Sequence, residues 1–181
     1  MKKKTIWEMG RLTVEEFHRS AKIPVVVVLD NVRSLNNIGA IFRTCDAFAV
    51  AAVVPCGISA TPPSAEIHKT ALGAEESVDW HYYPTTAEAV DALAAEGYTI
   101  VCLEQVHGSV ALDRFEPSHE ARYALVLGNE VDGVDQAIVD RADLCLEIPQ
   151  SGTKHSLNVS VSAGVALWHL YSKLRIMNDE L

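Results

Sequence analysis

The chain has 181 residues, a formal net charge of -9, 49% hydrophobic and 22% charged residues. At roughly 150 residues per domain this is one globular domain with enough chain for a core, and disordered, collagen-like and disulfide-scaffold classes are excluded. No apolar run reaches the ~18 residues that span a bilayer, and Cys45, Cys56, Cys102 and Cys145 form no CxxC pair, so a cytoplasmic protein with reduced thiols and no membrane partner is expected.

In chain order, the first feature is basic. Eight basic side chains stand against four acidic ones in residues 1–45, and the rest of the chain is strongly acidic. Only this end offers the Lys and Arg that phosphate neutralisation needs. Glu8 and Arg11 interrupt the apolar stretch a signal peptide would require after Lys2, Lys3 and Lys4. Apolar, β-branched runs at 25–29, 50–54, 99–103, 124–127 and 144–148 read as strands buried on both faces. Between the first two, 37–48 carries Ile38, Ile41, Phe42 and Cys45 at helical spacing. Ser59, Thr61 and Pro62-Pro63 mark a loop. The helix expected over 85–96 opens with a capping box, Thr85 and Glu88, and closes at Gly97. A final helix over 157–174 is so apolar that it must be buried or pack on a partner. Strands alternating with helices predict an α/β fold, a mostly parallel sheet flanked by helices.

Nucleotide fingerprints are missing: no GxGxxG follows the first strand, and no GxxxxGK[ST] or HExxH occurs. No Cys/His cluster has zinc spacing, so no metal is expected. Three segments instead sit at strand ends, where open α/β sheets place ligands. The first, 36–43, holds Asn37, Gly39 and Arg43; an arginine in so apolar a helix needs an anionic partner, either an acidic neighbour or a ligand. In the second, 125–133, Gly128 would leave strand-end backbone open to approach and Glu130 is a carboxylate at the sheet edge. The third, 148–161, runs from Ile148-Pro149 through a polar glycine loop to Ser156, a natural helix N-cap, then Leu157, Asn158 and Ser160.

In this order the three segments, with 69–75 between them, resemble the SpoU (TrmH-type) RNA 2′-O-ribose methyltransferases of the SPOUT superfamily, over most of the chain from Pro24. Gln150, where that family often has Met, and Ser162, where it usually has Ala, are small departures. The resemblance implies a short basic N-terminal segment at 1–23 and a methyltransferase domain at 24–181, with a deep C-terminal trefoil knot and a homodimer. It implies S-adenosyl-L-methionine as methyl donor, held around Leu103, Gly128, Ile148, Ser156 and Leu157. The catalytic set it implies is Arg43, Asn37, Glu130, Ser156 and Asn158, with Asn37 and Glu130 holding Arg43. RNA is the implied partner; Lys2, Lys3, Lys4, Arg11, Arg19 and Lys22, doubled in a dimer, favour tRNA over rRNA. The alternative is an RNA-binding or assembly protein on the same fold that has lost catalysis.

Overall fold

The computed structural model describes residues 1–5, 8 and 10–175. The last six residues of the expected domain lie outside this range. In chain order the elements are α1 (Val14–Arg19), β1 (Ile23–Asp30), α2 (Leu35–Ala47), β2 (Val50–Cys56), α3 (Ala65–Ala71), α4 (Ala74–Ser77), α5 (Thr86–Ala95), β3 (Tyr98–Leu103), β4 (Val110–Ala111), β5 (Arg122–Leu127), α6 (Gln136–Val139), β6 (Leu144–Glu147) and α7 (Val159–Leu174). The sheet order is β2-β1-β5-β3-β6-β4, and every pairing between these strands is parallel.

The strands are apolar throughout because both faces are covered. Successive side chains point to opposite faces, so Val25, Val27 and Leu29 of β1 join Leu125 and Leu127 of β5 in one core, under α2, α3 and α7. Val26 and Val28 join Ala124, Val126, Ile100 and Cys102 in the other, under α5 and α6. Burying each such side chain contributes about 1.5–3 kcal/mol. All four cysteines are free, and burial pushes the Cys56 and Cys102 thiols up to about 12, so they serve as apolar filler.

Local chemistry sets the helix starts. Ser34 caps α2 by accepting the Asn37 N–H, so the helix begins at Leu35, two residues ahead of the expected start. Thr85 accepts the Glu88 N–H as expected, but Glu88 returns to the Thr85 hydroxyl rather than to its backbone, so only half the capping box forms. Thr13 and Glu16 make the complete box, on α1. That short helix ties the N-terminal segment to the core through Phe17, which is buried. Lys22 folds back onto it, donating to the Phe17 and Ser20 carbonyls with its ammonium 4.1 Å from the Phe17 ring centroid. Burial lowers the Lys22 pKa, against the pull of Asp79 and Asp46. Lys22 is therefore committed to the fold and not to a phosphate track.

The tightest helix contact is α2 against α3. A Cβ on Gly39 would sit 2.2 Å from Thr70 Oγ1 and 2.3 Å from the Ile67 carbonyl oxygen, and the Thr70 hydroxyl donates to the Asn36 carbonyl across the same contact. Gly39→Ala is expected to lower stability by about 1–2 kcal/mol, overpacking outweighing the ~1 kcal/mol Ala gains in a helix. Urea denaturation checks this, and an unchanged midpoint would mean the helices separate freely.

Candidate functional site

The C-terminal ends of β3, β5 and β6, together with residues 148–158, enclose a cavity of about 570 Å³, within the range of small-molecule sites. Leu103, Gly128, Ile148, Ser156 and Leu157 all line it, as do Glu130 and Asn158. Asn37 stands behind this wall and is joined to it by hydrogen bonds. The Asn158 amide donates to Asn37 Oδ1 at 3.1 Å, and the Asn37 amide donates to Glu130 Oε1 at 2.8 Å. Glu130 also accepts the backbone N–H groups of Arg33 and Ser34, each at 3.1 Å. Its carboxylate thus caps the turn that leads into α2, where a negative charge is favoured. Partial burial raises the Glu130 pKa, but the hydrogen bonds from Asn37 and from the Arg33, Glu130 and Ser34 backbone outweigh it and hold the pKa below 4.5. A carboxylate so placed is an anchor and a weak proton acceptor.

Two expectations are corrected here, and a third, Gly128, gains a second reason. Arg43 is not held by Asn37 and Glu130: six residues along a helix carry it about 9 Å further and about 120° around from Asn37. It is exposed, does not line its own chain's cavity, and forms no ion pair among the described residues. Ser156 is not the N-cap of α7. That role falls to Asn158, whose Oδ1 accepts the Ser160 and Val161 N–H groups at 2.9 and 3.4 Å, while Ser156 faces the cavity. The absence of a side chain at Gly128 serves the protein's own backbone: a Cβ there would lie 2.0 Å from the Gly133 carbonyl carbon and 2.2 Å from the Val134 nitrogen. The 129–133 turn folds back that closely because Asn129 and Gly133 exchange backbone hydrogen bonds, with Gly133 at φ 73°.

Glu104, Gln105, Gln150, His155 and Ser162 also line the cavity and were not among the expected site residues. Glu104 and Gln105 follow the last residue of β3, one and two positions beyond Leu103, which the family resemblance implies. The Gln105 amide donates to the His155 carbonyl at 2.9 Å, fastening β3 to the 148–158 segment. Among the described residues, no group of three or more His, Cys, Asp or Glu could hold a metal ion, and no helix is long and apolar enough to cross a membrane.

Residues 24–168 match the family described as the SpoU rRNA Methylase family. A 23S rRNA (guanosine-2'-O-)-methyltransferase RlmB from Vibrio cholerae is 34% identical over 145 residues, covering 80% of this chain and 58% of that protein. The chain spans about three fifths of the length of such curated relatives. A TrmH/SpoU tRNA modifying enzyme from A. aeolicus superposes with a TM-score of 0.79 at 27% identity, over 91% of this chain and 84% of that one. An AdoMet-bound rRNA methyltransferase from Sinorhizobium meliloti superposes with a TM-score of 0.78 at 25% identity, over 87% of this chain and 60% of that one.

The anchoring role of Glu130 has a pH signature. A carboxylate whose pKa is lowered by folding stabilises the native state above its unfolded value of 4.5, and this contribution fades as pH falls through the folded value. Glu130→Gln is expected to cost about 1 kcal/mol near neutral pH. The difference from the parent should shrink once the pH drops below 4.5, as followed by urea denaturation across pH. A difference that is constant into acid would remove the charge from the argument.

Proposed function

The chain belongs to the SpoU rRNA methylase family, and we propose that it is an S-adenosylmethionine-dependent methyltransferase acting on a ribose 2′-hydroxyl of ribosomal RNA. The observation that carries this reading is the cavity at the strand ends, which segments 125–133 and 148–161 line and to which segment 36–43 is joined through the Asn37 hydrogen bonds. The basic N-terminal segment points to tRNA, but several relatives matched over about four fifths of the chain are named for 23S rRNA, others being named for tRNA/rRNA together, and Lys22 is committed elsewhere. The preference for tRNA is therefore replaced by one for rRNA. A cytoplasmic setting goes with this substrate.

The cavity suits the methyl donor. Leu103, Ile148 and Leu157 offer apolar walls, and the strand ends bring backbone N–H and C=O groups to its rim. Ser156 and Asn158 would fix the segment that meets the donor's amino-acid end. When bound, the donor supplies a methyl group on sulfur that is electrophilic enough for direct displacement, so the protein's task is in-line positioning. Asn37 and Glu130 shape the wall and hold the start of α2. Arg43 anchors an RNA phosphate and orients the 2′-hydroxyl through its planar fork.

Arg43 has to come from a second copy of the chain, because it is absent from its own chain's cavity. What supports a homodimer is α7, whose Val161, Val165 and Trp168 are 51%, 40% and 57% exposed. Spaced at i, i+4 and i+7, they form one apolar stripe. The same reading includes the trefoil knot. It is supported by the path of residues 148–158, which leave β6 near one edge of the sheet, meet Gln105, and deliver α7 against α2.

Calorimetry with S-adenosylmethionine and mapping of ribose methylation on rRNA and tRNA test the activity; binding of NAD in place of the methyl donor would overturn it. Arg43→Lys keeps the charge and loses the fork, so it is expected to bind S-adenosylmethionine near-normally and to lose most turnover. Near-normal turnover would reduce Arg43 to a charge. Trp168→Glu is expected to convert a dimer to a monomer by light scattering and to abolish turnover while the cavity still binds the donor. A dimer that survives this change places the interface elsewhere.

A further inference from the structure

Glu104 follows the last residue of β3 and lines the cavity between Leu103 and Gln105. Its half-buried carboxylate accepts one backbone N–H on each oxygen. Oε2 accepts the Val134 N–H at 2.9 Å and Oε1 accepts the Gln105 N–H at 2.9 Å. Gly133 closes against the same group, since a Cβ there would fall 2.2 Å from Oε2. A carboxylate accepts about four hydrogen bonds in all, two on each oxygen, so each Glu104 oxygen keeps capacity for another donor. No Lys, Arg or His forms an ion pair with it among the described residues. A partly buried charge without a cation calls for O–H or N–H donors from whatever fills the cavity.

The donor set that matches two parallel carboxylate oxygens is a vicinal diol. Acidic residues hold nucleotide riboses by their hydroxyls in other parallel-sheet sites. We propose that Glu104 is a specificity-determining residue that accepts hydrogen bonds from the ribose 2′,3′-diol of the nucleoside in this cavity. This rests on the reading that the site takes S-adenosylmethionine. The turn at 129–134 then has two tasks: Gly128 and Gly133 let it approach, and the Val134 N–H aims the carboxylate. Glu104 thereby selects a ribonucleoside over its deoxy counterpart at the donor, independently of the RNA.

The test is calorimetric titration of the full chain and of Glu104→Gln with S-adenosylhomocysteine and with its 2′,3′-dideoxy analogue. S-adenosylhomocysteine lacks the sulfonium charge, so the comparison isolates the hydroxyl contacts. The parent is expected to prefer the ribo form by about tenfold or more, the scale of one hydrogen bond to a charged group. Glu104→Gln, whose side-chain oxygen still accepts the Val134 N–H, should bind the dideoxy analogue as the parent does and lose most of the preference. Equal weakening of both ligands would make Glu104 only a clasp for the turn, and a preference that persists in the variant would place the diol elsewhere; either overturns the proposal. If the parent binds neither ligand, the cofactor reading itself falls, an outcome separate from these two.

Discussion

A short relay of side-chain amides holds the site together. Asn37 is 93 residues from Glu130 and 121 residues from Asn158 in sequence, yet it hydrogen-bonds to both. Each end of the relay also secures backbone: Glu130 takes two N–H groups ahead of α2, and Asn158 takes two at the start of α7. Three polar side chains therefore fix the mutual position of two helices and the turn after β5. Amide and carboxylate suit this task because each accepts and donates, or accepts repeatedly, in a fixed plane. An apolar contact at the same place would bring the pieces together without setting their register.

Most of the sheet was legible in the sequence. The runs at 25–29, 50–54, 99–103, 124–127 and 144–148 fall on β1, β2, β3, β5 and β6 to within two residues, because a strand buried on both faces leaves a continuous apolar signal. The short elements α1, α3, α4, α6 and β4 left none: one or two helical turns are too few for a period to show. Strand order and the all-parallel pairing rest on contacts between distant segments, which no local pattern records.

The site was legible in part, and the division has a physical cause. Leu103, Gly128, Ile148, Ser156 and Leu157 meet around one cavity because all stand at or beyond strand ends on the same side of the sheet. What each residue does there was harder to read. Ser156 and Asn158 are both good caps, and only the backbone path decides between them. Gly128 is a glycine on account of Gly133, a neighbour five residues away that sequence spacing cannot bring into contact. Arg43 was expected to need an anionic partner because its helix is so apolar, whereas the helix phase turns it outward, away from Asn37 and Glu130.

The strand order also governs how the molecule comes into being at the ribosome. β1 emerges early and acquires β2 on one side, but its other neighbour is β5, made after α5 and β3 have appeared. Until then the most apolar strand of the protein has an open edge, and β3 has no partner strand at all. Such an edge is a template for wrong pairing. The cavity walls come later still, with residues 148–158 near the end of synthesis. Truncated chains therefore inherit the sticky half of the sheet without the pocket, and a small molecule that binds the finished cavity can rescue only those chains that have been completed.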